Sequence, residues 1–244
     1  MINILLPMAG GSGNFDPKLF PYPSPLTEIA GKPMIEHVVE NLSEIGDECR
    51  FTFVVKSEDC RRFHLDSILM LLAPKGSQVI KLEGDTKGAL CSALMAISNI
   101  SDDAPLIIAN SDQLFDGVLQ KAVEELRQSG ADAGCLCFNS VHPRWSYVRI
   151  KDGFVVEAAE KKPISRNAIA GFYYFRDGRK FVQSGMRTIL NDVSVDGRYY
   201  IAPVFNEIML EGGKIHPVVI SNDAYHSFYT PQRIDEYANK FVRC

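Results

Sequence analysis

The chain has 244 residues, of which 46% are hydrophobic and 23% are charged, and its formal net charge at pH 7 is −4. This composition is typical of a globular protein with one sizeable core, and the absence of a Lys/Arg-rich run argues against nucleic-acid binding. No stretch approaches 18 apolar residues and no charged segment precedes the first apolar run. We therefore expect neither a membrane span nor a secretory signal.

Six cysteines are scattered along the chain without the spacing of metal ligands. Cys135 and Cys137 lie two residues apart in an apparent strand, which favours buried or half-buried thiols over ligands. Reduced thiols are typical of the cytoplasm, so we expect a cytoplasmic location.

Strands and helices alternate along the first 140 residues. Apolar runs predict strands at Asn3–Met8, Arg50–Val55, Val79–Leu82, Pro105–Asn110 and Ala133–Phe138. Helical spacing predicts helices at Met34–Leu42, Glu58–Leu72, Gly88–Ile97 and Gly117–Gln128. This order favours an α/β fold with a mostly parallel central sheet and helices on both faces.

After residue 144 the pattern changes to shorter strands, predicted at Ser146–Ile150, Phe154–Ala159 and Ile169–Phe175. Lys151-Asp152-Gly153 is typical of a hairpin turn between the first two. Helices are predicted at Arg179–Leu190, Ile201–Glu211 and Pro231–Val242. No linker or repeat is visible, so we predict a single domain over residues 1–244 with a smaller mixed-sheet region.

A glycine-rich turn follows the first strand. Gly10, Gly11 and Gly13 can let backbone N–H groups approach a phosphate closely, and ligands of open α/β sheets bind at this edge. A plain strand-to-helix turn explains the same glycines. The turn is neither a P-loop nor the GxGxxG fingerprint.

Six stretches of the chain together resemble the sugar-phosphate nucleotidyltransferases. They are NILLPMAGGSGNF at 3–15, PLTEIAGKPMIEHVVENL at 25–42, DTKGALCSAL at 85–94, IIANSDQLF at 107–115, WSYVRIKDGFVVEAAEKKPISRNAIAGFYYF at 145–175 and GRYYIAPVFNEIM at 197–209. The resemblance implies the Rossmann-like nucleotidyltransferase fold, with a nucleotide-binding part at 1–140 and a sugar-phosphate-binding part with carboxyl-terminal helices at 141–244.

The resemblance also implies which residues contact the nucleotide. They are Met8, Ala9, Gly10, Gly11, Ser12, Gly13, Asn14, Thr86, Gly88 and Asn110. Thr86 and Gly88 match the segment that lies against the nucleobase in the family. An ordinary helix N-cap is an alternative for Thr86.

Asp112 is predicted to be the metal-binding and catalytic carboxylate. An apolar strand delivers it to the carboxyl edge of the sheet, and ANSDQ matches the position of the family's metal-binding aspartate. Mg²⁺ binds carboxylate oxygens and nucleotide phosphates together, so the resemblance implies Mg²⁺ as cofactor. Without the resemblance, a strand-end aspartate is more often a cap or turn residue.

Four residues are predicted to bind the sugar phosphate, which is the acceptor of the nucleotidyl group in the family reaction. Glu160 and Lys161 match the family's Glu-Lys pair, in which the carboxylate accepts sugar hydroxyls and the ammonium meets the phosphate. Gly171 matches a close approach of backbone to sugar, and Gln113 flanks Asp112. By itself, a charged pair in a hairpin is usually solvated, and Trp145 fits a core position as well as a stacking platform.

Three positions depart from the family pattern. Asn14 and Ser24 stand where the family has an arginine and a lysine, and Ser227 stands where many members carry a second metal-binding aspartate. Lys18 is the candidate catalytic cation in the intervening proline-rich segment. Asp223 and His226 are alternatives for a displaced metal or phosphate contact, and ordinary surface residues otherwise.

Two functions follow. The first is nucleotidyl transfer from a nucleoside triphosphate to a sugar phosphate or similar phosphorylated small molecule, releasing pyrophosphate, in surface-polysaccharide precursor synthesis. The second is a catalytically silent homologue that binds a nucleotide or sugar nucleotide as a sensor or regulatory partner. The retained Asp112 and Glu160–Lys161 favour the first, and the three neutral positions favour the second. The sequence leaves open the base, the acceptor and whether the chain forms a homo-oligomer.

Overall fold

The computed structural model describes residues 1–10, 15–16, 18–46, 48–100 and 103–242. Its strands are β1 Ile2–Pro7, β2 Glu28–Ile29, β3 Lys32–Pro33, β4 Cys49–Lys56, β5 Gln78–Leu82, β6 Leu106–Ala109, β7 Gln113–Phe115, β8 Ala133–Asn139, β9 Tyr147–Lys151, β10 Phe154–Ala159, β11 Asn167–Phe175, β12 Ile215–Val219 and β13 Tyr225–Ser227. Its helices are α1 Met34–Ser43, α2 Ser57–Phe63, α3 Leu65–Leu72, α4 Ala89–Leu94, α5 Ile97–Ile100, α6 Leu119–Gln128, α7 Gly178–Leu190, α8 Val204–Leu210 and α9 Pro231–Val242.

A nine-stranded sheet contains strands from both halves of the sequence. β5, β4, β1 and β6 lie side by side in parallel. β11 then pairs antiparallel with β6 and with β8, and β12 continues parallel to β8. The β9–β10 hairpin joins the start of β11. The predicted α/β architecture, with a mostly parallel central sheet and a smaller antiparallel part, is confirmed.

The sheet is buried on both faces because its strands carry apolar residues continuously. Along β1, Ile4 and Leu6 face one apolar cluster and Leu5 faces the other. Successive side chains of a strand point to opposite faces, so one strand serves both clusters. Helix α1 packs in the first cluster through Met34, Ile35, Val38, Val39 and Leu42, as its spacing predicted. The predicted burial of Cys135 and Cys137 is also confirmed.

Two helices that were predicted to be continuous are each divided into two. The predicted Glu58–Leu72 helix ends at Phe63 and restarts at Leu65, because His64 takes a left-handed conformation with φ 53°. Neither Gly nor Pro signals this break. The predicted Gly88–Ile97 helix is likewise divided, into α4 and α5.

Four strands were not predicted: β3, β7, β12 and β13. β7 pairs antiparallel with β13, which ties the chain after Asp112 to the segment near the carboxyl terminus. Within the described residues, the helices are too short or too polar to cross a bilayer.

Candidate active-site cleft

A cleft of about 450 Å³ lies beyond the carboxyl ends of β1 and β6. The chain leaving β1 contributes Met8 and Gly10, and the chain leaving β6 contributes Asn110 and Asp112. The second half of the sequence supplies the opposite wall. The residues of that wall used below are Arg144, Trp145, Ser146, Glu160, Lys161, Gly171, Tyr200, Ser227 and Tyr229. The structure thus brings together most of the described residues that the sequence assigned to the two substrates.

Asp112 lies half-buried in this cleft. Burial raises the pKa of its carboxyl, while its own backbone N–H and the positive charge of Arg144 act in the opposite direction. Desolvation disfavours the charged carboxylate. A cation placed beside Asp112 would therefore relieve an unfavourable charge.

Ser227 lines the cleft next to the Asp112 segment. It pairs with Gln113 across β13 and β7, and the N–H of Phe228 donates a 2.7 Å hydrogen bond to the carbonyl of Asp112. The position that the resemblance matches to a second metal-binding aspartate is therefore beside the Asp112 segment, and Ser227 offers only a hydroxyl there.

The floor of the cleft is a close approach between Gly171 and the segment after β6. The Gly171 carbonyl accepts hydrogen bonds from the Asn110 N–H at 3.0 Å and from Gln113 Nε2 at 2.9 Å. Gln113 is 2% exposed, and its Oε1 accepts a 3.2 Å bond from the Tyr225 hydroxyl. Both ends of the Gln113 amide are thus used within the protein. This placement favours a positioning role over direct substrate contact.

Glu160 and Ser146 face each other on the acceptor side. The Ser146 hydroxyl donates a 2.5 Å hydrogen bond to Glu160 Oε2. Burial raises the pKa of Glu160, and the Ser146 hydrogen bond and the charge of Lys161 oppose that rise. The carboxylate is partly removed from water and turned into the cleft, so it is not the solvated hairpin charge of the alternative interpretation.

Lys161 extends along the same wall. Its Nζ donates a 2.7 Å hydrogen bond to the Tyr200 hydroxyl, and this bond raises the pKa of the ammonium. Lys161 itself is exposed and has a left-handed backbone with φ 52°. The ammonium is therefore positioned at the mouth of the cleft and open to an anion from solvent.

Thr86 and Gly88 lie beside the cleft rather than among its described lining residues, which include the next residue, Ala89. Gly88 has φ 112°, and an added Cβ would overlap the backbone of Tyr199. The Thr86 hydroxyl bonds the Ser92 hydroxyl at 2.6 Å and the Gly88 carbonyl at 3.1 Å. The alternative role of Thr86 as helix N-cap is wrong, because Gly88 occupies that position.

The triphosphate-side predictions are only partly described. Gly11, Ser12, Gly13 and Asn14 lie outside the described residues. Met8 and Gly10 line the cleft, whereas Ala9 is buried in the core. Ser24 lines the cleft at the start of a short 3₁₀ turn. Lys18 is exposed and is not among the described residues of the cleft wall.

A second cavity of about 830 Å³ adjoins the cleft and shares Arg144, Trp145 and Ser227 with it. Asp223 and His226, the alternative metal or phosphate contacts, line this second cavity. His226 Nε2 lies 2.7 Å from Asp116 Oδ2. Neither Asp223 nor His226 is among the described lining residues of the cleft.

Comparison with known proteins establishes the family. A family model described as the MobA-like NTP transferase domain matches residues 9–241. The chain belongs to that family. The resemblance to the sugar-phosphate nucleotidyltransferases is thereby confirmed.

Relatives of this NTP transferase domain agree with the fold. The chain is 23% identical over 201 residues to the bifunctional protein GlmU of Staphylococcus epidermidis, which covers 78% of the chain and 42% of that relative. The chain thus spans less than half of the length of the curated relatives it matches. A nucleoside-diphosphate-sugar pyrophosphorylase from Vibrio cholerae RC9 superposes with a TM-score of 0.81 at 20% identity, covering 97% of this chain and 99% of that one. A putative glucose-1-phosphate thymidylyltransferase from Bacillus anthracis, in complex with a sucrose, gives 0.73 at 18% identity, covering 100% and 96%.

The NTP transferase cleft also contains a cation that the sequence did not single out. Arg144 lines the cleft beside Trp145, and its guanidinium carbon lies 4.1 Å from the centre of the Trp145 ring. Trp145 is half-buried, with Phe138 packed edge-on at 5.3 Å. It therefore belongs partly to the core and partly to the cleft wall. Only its place directly before the lone tryptophan could have drawn attention to Arg144.

The ligand atoms near Asp112 can hold a hard cation only if substrate phosphates and waters supply the remaining ligands. In the part of the chain that the structure describes, no group of three or more His, Cys, Asp or Glu side chains could hold a metal ion. Asp112 offers carboxylate oxygens and Ser227 a neutral hydroxyl. Mg²⁺ commonly binds one or two carboxylates, with waters and phosphate oxygens completing its shell. The residues present fit that mode.

Proposed function

We propose that this protein transfers a nucleotidyl group from a nucleoside triphosphate to a sugar phosphate or similar phosphorylated small molecule, releasing pyrophosphate. The observation that carries the proposal is the placement of Asp112, Glu160 and Lys161 on the walls of one cleft at the carboxyl edge of the sheet. A nucleotide site and an acceptor site in one cleft are what a transfer between two bound substrates needs. The names of the relatives, among them a pyrophosphorylase and a putative thymidylyltransferase, support the same chemistry.

In the proposed reaction, an oxygen of the acceptor phosphate attacks the α-phosphorus of the triphosphate. A new P–O bond forms, the bond from the α-phosphorus to the bridging oxygen breaks, and the electron pair leaves with pyrophosphate. No proton transfer is required when the attacking phosphate is ionised. The protein then acts mainly by positioning and by charge stabilisation.

Seven of the residues that the sequence predicted for the site have roles in this proposal. The backbone of Met8 and Gly10 borders the nucleotide, Glu160 accepts hydrogen bonds from acceptor hydroxyls, and Lys161 binds the acceptor phosphate. Asp112 would hold Mg²⁺, which supplies positive charge to the phosphates during transfer. Gln113 and Gly171 position the Asp112 segment through their hydrogen bond to each other.

The proposal extends to pathway and compartment. We place the product in surface-polysaccharide precursor synthesis, on the resemblance of the PMAG and ANSDQ segments. We place the protein in the cytoplasm, which the free thiols of the described cysteines support. The proposed reaction depends neither on this pathway nor on this compartment.

A catalytically silent homologue is the second candidate. It is favoured by Ser227, a neutral residue next to Asp112, and by Lys161 and Glu160, which already hydrogen-bond to Tyr200 and Ser146. Such a protein would bind a nucleotide or sugar nucleotide and regulate or assemble with a partner.

Pyrophosphate release separates the two candidates. Each nucleoside triphosphate is incubated with Mg²⁺ and a panel of sugar phosphates, and binding of the same triphosphates is measured by calorimetry. Release that requires both substrates supports the transferase. Triphosphate binding without release across the panel supports the silent homologue, and no binding of any triphosphate contradicts both.

A further inference from the structure

The charged side chains that line the cleft form two groups. Among its described lining residues, Asp112 and Glu160 are the carboxylates and Arg144 and Lys161 are the cations. Lys161 neighbours Glu160 on the acceptor side. Arg144 is the cation whose charge acts on Asp112. Ser24, which also lines the cleft, is neutral.

Arg144 is held in place by aromatic rings. Its guanidinium lies over Trp145 at 4.1 Å and 5.4 Å from the centre of the Tyr229 ring. Trp145 is in turn fixed by edge contacts to Phe138 at 5.3 Å and Tyr225 at 5.9 Å. Stacking of a guanidinium on an aromatic face fixes its plane and leaves its N–H edge available. The side chain is therefore preorganised.

The hydrogen-bonding capacity of Arg144 is largely unused. Its Nε is buried and has no hydrogen-bond partner within the described part of the chain, and no carboxylate of that part forms an ion pair with it. A buried charged donor without a partner is unfavourable. Planar guanidinium groups match phosphate oxygens bidentately. An anionic ligand in the cleft would give the Arg144 guanidinium an ion-pair partner.

We propose that Arg144 is the phosphate-binding cation of the triphosphate side, in the role for which Asn14 and Ser24 carry no charge. This inference rests on the proposed binding of a nucleoside triphosphate and adds the residue that recognises it. The aromatic support from Trp145 and Tyr229 positions the guanidinium, so the second half of the sequence supplies this positive charge.

The test is calorimetric binding of a nucleoside, its diphosphate and a non-hydrolysable α,β-methylene triphosphate to the wild type and to Arg144→Gln. Arg149→Gln is the matched control, because Arg149 is exposed and pairs with Glu157 away from the cleft. We expect Arg144→Gln to weaken triphosphate binding by roughly ten- to hundredfold and to leave nucleoside binding unchanged. Arg149→Gln should change neither. Ser24→Lys added to Arg144→Gln should recover part of the lost triphosphate affinity.

Three outcomes are distinguishable. A wild type that binds no triphosphate overturns the proposed function, whatever Arg144 does. A wild type that binds triphosphate while Arg144→Gln binds equally well overturns the Arg144 assignment alone. An equal loss for nucleoside and triphosphate shows a structural role and overturns it as well.

A measurement on the wild type covers the case in which Arg144→Gln does not fold. Phenylglyoxal modifies accessible guanidinium groups, and mass spectrometry reports the extent at Arg144 and at Arg149. We expect the triphosphate, but not the nucleoside, to slow modification of Arg144 and to leave Arg149 unaffected. An unchanged rate at Arg144 with saturating triphosphate contradicts the inference.

Discussion

The side-chain amide of Gln113 donates a 2.9 Å hydrogen bond to the carbonyl of Gly171, joining the segment after β6 to the antiparallel strand β11. Gly171 can make this approach because its φ is 60° and it has no Cβ. An added Cβ would overlap the Asn110 side-chain amide and would lie 2.5 Å from Gln113 Oε1. Gly171, which the resemblance matches to a sugar contact, therefore positions the chain on both sides of Asp112 through its hydrogen bonds to Asn110 and Gln113.

Gly171→Ala should therefore destabilise the protein and distort the cleft. The left-handed backbone alone costs an alanine about 1–3 kcal/mol, and the overlap with the side-chain amides of Asn110 and Gln113 adds to that cost. The control is Gly153→Ala, since Gly153 also has a positive φ of 82° but open space where its Cβ would go. Urea unfolding of both variants checks this. Equal losses would show that the overlap relaxes without cost.

Asp112→Asn should abolish or strongly reduce turnover while preserving the fold. The change keeps the side-chain shape but removes the carboxylate charge that would hold Mg²⁺, and we expect a loss of roughly 10²–10³ in kcat. Asp235→Asn, at an exposed position of α9, is the control for loss of one negative charge. Pyrophosphate release at saturating Mg²⁺ is the measurement. Undiminished turnover in Asp112→Asn would exclude Asp112 as the metal ligand.

Ser227→Asp should strengthen metal binding, because β13 places this position beside the Asp112 segment. Two carboxylates repel each other without a cation and share one when it is present. We expect a larger rise in Tm on adding Mg²⁺ than in the wild type, and a fall of about tenfold in the Mg²⁺ concentration for half-maximal binding. Ser98→Asp on the exposed face of α5 is the control. Identical Mg²⁺ responses in both variants would place residue 227 outside the metal site.

The stability of the wild type relative to Glu160→Gln should depend on pH. Burial raises the pKa of Glu160 above its ordinary value of 4.5. The folded protein then keeps the proton at pH values where the unfolded chain has lost it. The contribution of Glu160 to the free energy of unfolding is fully present below about pH 4.5. It is lost as the pH rises through the pKa of Glu160 in the folded protein. Urea unfolding between pH 4 and pH 7 should show the wild type losing stability relative to the variant, and a pH-independent difference would contradict the raised pKa.

Most regular elements could be predicted because apolar periodicity is a local property. β10 and α9 have the predicted bounds, and β1, β4 and β6 differ from their predicted bounds by one residue at each end. The break at His64 could not be predicted, since it depends on a left-handed backbone at a residue that also forms helices. β7 and β13 were missed because three-residue strands have too little pattern, and each exists only through its pairing with the other.

The sequence by itself determined the family and most of the order of strands and helices, because motifs and apolar periodicity can be recognised without knowledge of tertiary contacts. It also predicted where the two substrates bind. The resemblance also predicts that Asn14, Ser24 and Ser227 stand at positions where the family carries charge. Only the tertiary structure decided that Ser227 lies beside the Asp112 segment. It alone also showed that Arg144, stacked on Trp145, brings to the same cleft a positive charge without an ion-pair partner among the described residues. These relationships join residues far apart in the chain. They arise from strand pairing and ring packing, which no local pattern encodes.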